Sequence, residues 1–212
     1  MRRLLIATSN PAKLAEYRLL LREIDFELIS LADAKISEAP EETGATFAEN
    51  ALLKARFYFA RAGIPTLADD GGLEIDALGG EPGVQSHRWL SAGGRKGVQN
   101  NSDRALVDEV IRRMQGVAEG NRTARIRATV ALIWPERGAT RERFAEAAIE
   151  GVIAAHAFPK IRPGFPYRAV LFLPERGCYL GELGDDEEAR IGQRRGALDQ
   201  LLEVLKQVAE GR

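Results

Sequence analysis

Several short clusters in this sequence combine residue types that handle phosphate or a hard cation. Thr8-Ser9-Asn10 stands between an apolar run, Leu4-Leu5-Ile6-Ala7, and the start of a helical pattern, with Lys13 shortly after. A strand-to-helix turn of this kind offers free backbone N–H groups and the positive end of a helix dipole, which together attract phosphate, and Lys13 adds a point charge. Ser9 and Asn10 also suit plain helix capping. Asp69-Asp70 follows Thr66-Leu67-Ala68 and precedes Gly71-Gly72. Such a pair suits Mg²⁺, which takes one or two carboxylates and completes its shell with substrate phosphate oxygens. Read as bare sequence, Asp-Asp-Gly is also an ordinary turn. Glu42, in an acidic loop, and Lys54, inside a helical stretch, complete the set. Taken alone, each of these two reads as a solvated charge.

Short strands and helices must position these side chains. Leu14, Tyr17, Leu20, Leu21 and Ile24 recur at helical spacing, and residues 26–29 suit a second strand. Thr46 with Glu49 forms a capping box for a helix over 47–62, which Gly63-Ile64-Pro65 stops. Residues 66–68 read as a buried strand that ends at Asp69-Asp70-Gly71-Gly72, after which Leu73-Glu74-Ile75-Asp76 alternates like a strand edge, so both carboxylates are expected where a strand stops. The polar, Gly-rich stretch 91–101 is expected to be mobile. A helix over 103–114 carries Leu106, Val107, Val110 and Ile111 on one face. Residues 125–134 and 143–155 alternate as strands of a hairpin around Pro135-Glu136-Arg137-Gly138, the second with helical propensity as well, while 169–173 read as a further strand and 191–208 as one final helix. With no internal repeat or linker, this is an α/β pattern with a mixed sheet.

Composition narrows the function classes. Thirty basic against 31 acidic side chains leave a formal charge of -1, which gives no global footprint for a polyanion, so no nucleic-acid partner is expected. With 45% hydrophobic and 29% charged residues, disorder, collagen and coiled-coil readings drop out. Cys178 is the sole cysteine, and His87 and His156 are the only histidines. A disulfide framework and a Cys- or His-based metal cluster are therefore excluded. No stretch reaches the roughly 18 consecutive apolar residues of a membrane span, and the expectation is a soluble, cytoplasmic protein with no membrane partner. P-loop, dinucleotide-binding and serine-triad motifs are absent.

The clusters gain force from their order and wording. Thr8-Ser9-Asn10-Pro11-Ala12-Lys13, the run from Glu42-Thr43-Gly44 through Thr46-Phe47-Ala48-Glu49-Asn50 to Lys54-Ala55, Ala68-Asp69-Asp70-Gly71-Gly72-Leu73 and Leu78-Gly79-Gly80-Glu81-Pro82-Gly83-Val84 together resemble the inosine triphosphate pyrophosphatase family, also called Ham1-like or non-canonical purine NTP pyrophosphatases. Ser86 with Arg88 and Glu150-Gly151 fit the same pattern. The resemblance covers nearly the whole chain. It implies an α/β fold with an elongated mixed sheet flanked by helices, in two lobes with a cleft, as a single domain over residues 1–212. It also implies a homodimer, Mg²⁺, and house-cleaning hydrolysis of a nucleoside triphosphate to monophosphate and pyrophosphate. On this resemblance Thr8, Ser9, Asn10, Lys13 and Lys54 hold phosphates, Glu42 and Asp70 bind metal, and Asp70 or Asp69 orients or deprotonates the attacking water.

The carboxyl-terminal third departs from the family at the positions implied to read the base. The family's G-F-G-Y-D-P becomes Gly164-Phe165-Pro166-Tyr167-Arg168-Ala169, so an arginine replaces the acid while Phe165 and Tyr167 remain as a stacking wall. The family's E-E-K-x-x-I-S-H-R becomes Glu187, Glu188, Ile191, Gly192, Gln193 and Arg194, with Glu188 in place of the lysine and Gln193 in place of the histidine. The two charge changes have opposite signs and are able to compensate within one pocket. They predict altered base specificity, with a best substrate other than inosine or xanthosine triphosphate. The competing reading is a nucleotide-binding homologue that has lost productive base recognition and serves as a sensor or partner-binding protein.

Overall fold

Leu4, Leu5 and Ile6 are fully buried in β1 (Arg2–Ile6), an apolar run that suits a strand covered on both faces. β1 pairs in parallel with β2 (Phe26–Ser30) and with β3 (Thr66–Ile75). Between them run α1 (Pro11–Leu20) and α2 (Phe47–Ala62). The computed structural model describes residues 1–92 and 102–211. The later elements are α3 (Trp89–Ala92), α4 (Asp103–Arg113), β4 (Thr123–Glu136), β5 (Ala139–Ile153), β6 (Leu171–Leu173), β7 (Cys178–Tyr179), α5 (Asp185–Ile191) and α6 (Gln193–Glu210). The strands follow the order β2-β1-β3-β4-β5-β6-β7. β6 pairs antiparallel with both β5 and β7, so the sheet is mixed and the α/β expectation holds.

The chain divides into two compact units, each with its own core. The first comprises Met1–Asp70, Ala128–Ala147 and Ile191–Arg212. Leu5, Ile29, Ala51, Ala55, Tyr58 and Ile133 are buried together there. The second comprises Gly71–Arg127 and Ala148–Arg190. Its core joins Leu73, Ile75, Leu106, Val110, Tyr167 and Leu171.

Local chemistry sets most boundaries. Asn10 caps α1 through its side chain, and Pro11 takes the first turn, where its missing N–H costs nothing. α2 runs from Thr46, whose hydroxyl accepts from Glu49 N, to Gly63 at φ 65°. The reach-back of Glu49 goes to Ala45 N at 2.6 Å, one residue before the position that an ideal capping box uses. Between β4 and β5, Arg137 (φ 48°) and Gly138 (φ 80°) make a two-residue turn with both residues left-handed, the turn that matches strand twist in a hairpin.

Three sequence expectations change. β3 does not stop at Asp69; it continues through Asp70, Gly71 and Gly72 to Ile75. Gly72 serves close approach rather than a turn: a Cβ there would collide with Ser86 Oγ, and Ser86 Oγ accepts from Leu73 N at 3.0 Å. α1 ends at Leu20, with Ile24 beyond it. The single helix expected over 191–208 is two, because Gly192 adopts an extended conformation (ψ 157°) and starts α6 afresh. Of the segment 91–101 expected to be mobile, residues 93–101 lie outside the described residues. Among the described residues no helix is long and apolar enough to cross a membrane.

Candidate active site

The turn from β1 into α1 is shaped by its own side chains. Asn10 Oδ1 accepts from Ala12 N at 2.9 Å and Lys13 N at 3.4 Å, while Asn10 N donates to Thr8 Oγ1 at 3.2 Å. The capping role read from sequence is therefore filled by Asn10, and Ser9 is exposed. Lys13 points inward and is only 8% exposed, a position a lysine holds only with a partner. That partner is Asp69, whose Oδ2 lies 3.0 Å from Lys13 Nζ. Burial lowers the Lys13 ammonium pKa, with Asp69 opposing and Arg194 and Lys54 adding to the fall.

Asp69 is held by a second cation. Arg194, at the start of α6, donates from Nε to Asp69 Oδ2 at 3.0 Å, and its Nη2 lies 3.0 Å from the same oxygen. Its Nη1 reaches Glu16 of α1 at 3.2 Å. Burial alone would raise the Asp69 carboxyl, but Lys13 and Arg194 outweigh it and hold the group well below the usual carboxylate range. Tyr17, fully buried beside this cluster, is raised well above the ordinary phenol by burial and by Asp69.

Asp70 belongs to a neighbouring arrangement. Lys54 Nζ lies 2.9 Å from Asp70 Oδ1 and 3.2 Å from Glu42 Oε1, so one ammonium bridges both acids. Burial would lower the Lys54 pKa, but Asp70, Asp69 and Glu42 together raise it. Asn50, fully buried in α2, donates through Nδ2 to Asp70 Oδ2 at 3.3 Å and accepts through Oδ1 from Gly44 N at 2.8 Å. A Cβ at Gly44 would lie 2.7 Å from that Asn50 oxygen, so glycine lets the Glu42 loop close onto α2. Asn50 thus ties together the segments carrying Glu42, Lys54 and Asp70. Sequence reasoning did not single it out, although a polar residue between Phe47 and Ala51 on the buried face of α2 is the signal. Glu16 shares with Lys13 the helix face opposite Leu14, Tyr17, Leu20 and Leu21 in the sequence pattern, but Lys13 is buried rather than solvated and Glu16 meets Arg194.

The donor set fits Mg²⁺. Two hard carboxylates, Glu42 and Asp70, already share a single positive charge at Lys54, and Mg²⁺ is held by one or two such groups plus phosphate oxygens. Among the described residues no group of three or more His, Cys, Asp or Glu side chains makes a closed metal cage.

Four of the remaining expected site residues, Phe165, Tyr167, Arg168 and Glu188, lie in the second unit. Phe165 begins a short turn, and the 3-10 segment Pro166–Ala169 buries Tyr167 and Arg168. Arg168 Nη1 donates to Glu188 Oε2 at 2.7 Å, and Nη2 meets the other carboxylate oxygen. Both residues are almost completely buried. The two opposite charge changes read from sequence are thus direct partners. Arg162 adds a second contact to Glu188 at 3.2 Å and one to Asp185 at 2.6 Å. The Arg168 guanidinium lies 3.6 Å from the Phe165 ring centroid, a cation–π contact that covers that ring face. Tyr167 OH donates to Ser86 O at 2.5 Å, and its pKa is raised by burial and by Asp103. Asp103 accepts from Gly164 N at 2.7 Å, which fixes the start of the loop. Gln193 and Arg194, grouped by sequence with this cluster, fall in the first unit. Gln193 is buried, and its Oε1 has no hydrogen-bond partner among the described residues.

Known proteins place these clusters in context. The Ham1 family model matches residues 4–204. The chain is similar to a dITP/XTP pyrophosphatase of Thermus thermophilus, with 40% identity over 96% of this chain and 92% of that one. It is 37% identical to the dITP/XTP pyrophosphatase of Geobacillus kaustophilus over 100% of this chain and 98% of that one. Among solved structures, a HAM1 protein from Coxiella burnetii superposes with a TM-score of 0.79 at 32% identity, covering 98% of this chain and all of its own.

Proposed function

The chain belongs to the Ham1 family, and from that membership we propose that it is a nucleoside triphosphate pyrophosphohydrolase acting on non-canonical purine nucleotides. The observation that carries the reading is the arrangement of the first unit, where Lys13 and Lys54 are each paired to a carboxylate of the Asp69-Asp70 pair and Lys54 also reaches Glu42. Ammonium groups so held, next to acids suited to a hard cation, match a triphosphate and its metal. The relatives named dITP/XTP pyrophosphatase support the substrate class.

In this reading water attacks the α-phosphorus. A new oxygen–phosphorus bond forms, the α–β bridging bond breaks, and pyrophosphate leaves. Asn10, Lys13 and Lys54 hold the phosphates, with Thr8 and Ser9 supplying the turn. Glu42 and Asp70 would hold Mg²⁺, which when bound neutralises charge on the phosphate oxygens. Asp69 is committed to Lys13 and Arg194 and is a weak base, so Asp70 orients the water and takes its proton. Asn50 fixes one Asp70 oxygen and keeps the carboxylate in place. Positioning and charge stabilisation carry most of the rate.

At the base end, Phe165 and Tyr167 are the aromatic residues that the resemblance implies, but Tyr167 is packed in the core and Arg168 covers one face of Phe165, so a stacking role would need Arg168 to give way. Arg168 and Glu188 satisfy each other and no longer offer the isolated acid and lysine that the resemblance implies, which supports altered base specificity, with Gln193 as a further changed position. The fuller reading is a single two-lobed domain over residues 1–212 that works as a cytoplasmic homodimer. The test is a pyrophosphate-release assay with Mg²⁺ over canonical, deaminated and modified nucleoside triphosphates, comparing wild type with Arg168→Asp/Glu188→Lys/Gln193→His. Turnover with a shifted preference in the triple variant supports the reading. Nucleotide binding without any turnover would replace the enzyme with a sensor.

A further inference from the structure

Asn50 is a polar residue in an apolar place. It is fully buried on the face of α2 that also buries Phe47, Ala51, Ala55 and Tyr58, where a hydrophobic side chain would carry no polar desolvation cost. Its amide spends its hydrogen-bonding groups on two segments outside the helix. Oδ1 accepts from Gly44 N at 2.8 Å, while Nδ2 donates to Gly44 O at 3.4 Å and to Asp70 Oδ2 at 3.3 Å.

The Gly44 end is tight. A Cβ there would come within 2.7 Å of both Asn50 Oδ1 and Glu49 Cβ, so glycine is what lets the backbone lie against the amide. Beside it, Ala45 N donates to Glu49 Oε2 at 2.6 Å. One arm of the Asn50 amide thus pins the loop two positions after Glu42, and the other arm holds Asp70. The two carboxylates come from separate segments and already share the Lys54 ammonium. Acids that must act on one cation bind it more tightly when their separation is fixed beforehand, and partners standing behind the ligands supply that fixing.

We propose that Asn50 sets the affinity of this site for a divalent cation as a positioning residue, not a ligand: it holds Glu42 through Gly44, and Asp70 directly. The inference rests on the assignment of Glu42 and Asp70 as the metal-holding acids. It extends the role of Asn50 from one carboxylate to the pair, and it explains why an amide is kept on the buried face of α2.

The test uses Asn50→Leu, which keeps the branched shape without the amide, and Gly44→Ala, which presses the loop away from an intact amide. Mn²⁺ binding to the nucleotide-free protein is read by electron paramagnetic resonance, and the Mg²⁺ dependence of turnover by pyrophosphate release from the fastest nucleoside triphosphate of the panel. Asn50→Leu is expected to weaken Mn²⁺ binding about tenfold and to raise the Mg²⁺ concentration for half-maximal turnover by a similar factor. High Mg²⁺ should restore its turnover to within about threefold of wild type, with KM for the nucleotide within about twofold. Gly44→Ala is expected to weaken Mn²⁺ binding about threefold, and to add less than about twofold once Glu42 is replaced by Gln. Unchanged Mn²⁺ binding in a folded Asn50→Leu, a loss of turnover that no Mg²⁺ concentration restores, or a wild type that binds no Mn²⁺ would overturn the proposal. If Asn50→Leu fails to fold, Gly44→Ala decides: no effect on Mn²⁺ binding, or an effect undiminished in Glu42→Gln, counts against it. A wild type that shows this metal-binding pattern but hydrolyses no nucleotide refutes the functional reading and leaves the role of Asn50 standing.

Discussion

The two charged clusters of this protein differ in how their central groups are held. In the first unit single groups bridge two partners, so Lys54 answers to both Glu42 and Asp70, and Asp69 answers to both Lys13 and Arg194. In the second unit Arg168 meets both oxygens of Glu188 within the core and lies against Phe165, while the more exposed Arg162 reaches Glu188 and Asp185. Removing one partner of such a buried two-point pair is costly because it leaves a lone buried ion. On the proposed assignment, a triphosphate imposes the same demands whatever base it carries, which accords with the first cluster keeping the family's wording. The proposed base end has no such constraint, and Arg168 and Glu188 stand there where the resemblance implies an acid and a lysine.

Four substitutions break or sharpen this contrast. The largest effect is expected at Glu188. Glu188→Ala strands Arg168 in the core and should cost about 3–5 kcal/mol of stability, read by denaturant unfolding. The reversed pair Arg168→Asp/Glu188→Lys should recover more than half of that loss. A double variant as unstable as the sum of its parts would deny that the two residues are a unit.

Asp70→Asn comes next, with a fall in turnover of roughly 10²-fold or more, because it removes a carboxylate charge at nearly constant shape. Its thermal unfolding should stay close to wild type. Activity within about threefold of wild type would remove Asp70 from the chemistry.

Glu109 tests whether other charges of the second unit serve stability in the same way. Hydrogen bonds from Arg112, helped by Arg113, overcome burial and hold its carboxyl down at about 2, against 4.5 when free. The folded value lies below the unfolded one, so the stabilisation is complete above about pH 4.5 and is lost as pH falls from there towards 2. Glu109→Gln should cost roughly 1–3 kcal/mol near pH 7 and almost nothing at pH 2. An equal gap at both pH values would show that packing, not charge, is responsible.

The smallest effect is expected for Lys13→Ala, about tenfold or 1.4 kcal/mol weaker binding of triphosphate, with the free nucleoside unchanged. Equal weakening of both would place Lys13 at the base end.

Much of this was legible in the residues. The helix over 47–62 was readable to the residue because Thr46, Glu49 and Gly63 act locally, and the hairpin was readable from alternation around Arg137-Gly138. The two ends of β3 were readable, but its continuity through residues 69–72 was not. Asp-Asp-Gly-Gly carries a turn signal, and what overrides it is Ser86, a distant residue that fits over Gly72 and bonds Leu73 N. The break at Gly192 was hidden for the opposite reason: the flanking helical pattern is strong, and one glycine decides the cap. At the candidate site, the wording located Lys13, Glu42, Lys54, Asp69 and Asp70, whereas pairings such as Lys54 with Glu42 and Asp70, or Arg194 with Glu16, join segments that only the fold brings together. The opposite signs of Arg168 and Glu188 did foreshadow their contact.

The central claim is hydrolysis at the α-phosphorus by the acid and lysine cluster of the first unit. It is tested most directly by single-turnover reaction of wild-type protein in ¹⁸O-labelled water, with Mg²⁺ and the fastest nucleoside triphosphate of the panel, and phosphorus NMR of the products. The account predicts unlabelled pyrophosphate and one ¹⁸O in the monophosphate, with both products suppressed together in Asp70→Asn. Label in pyrophosphate, release of orthophosphate as the first product, or an undiminished reaction in Asp70→Asn would contradict it.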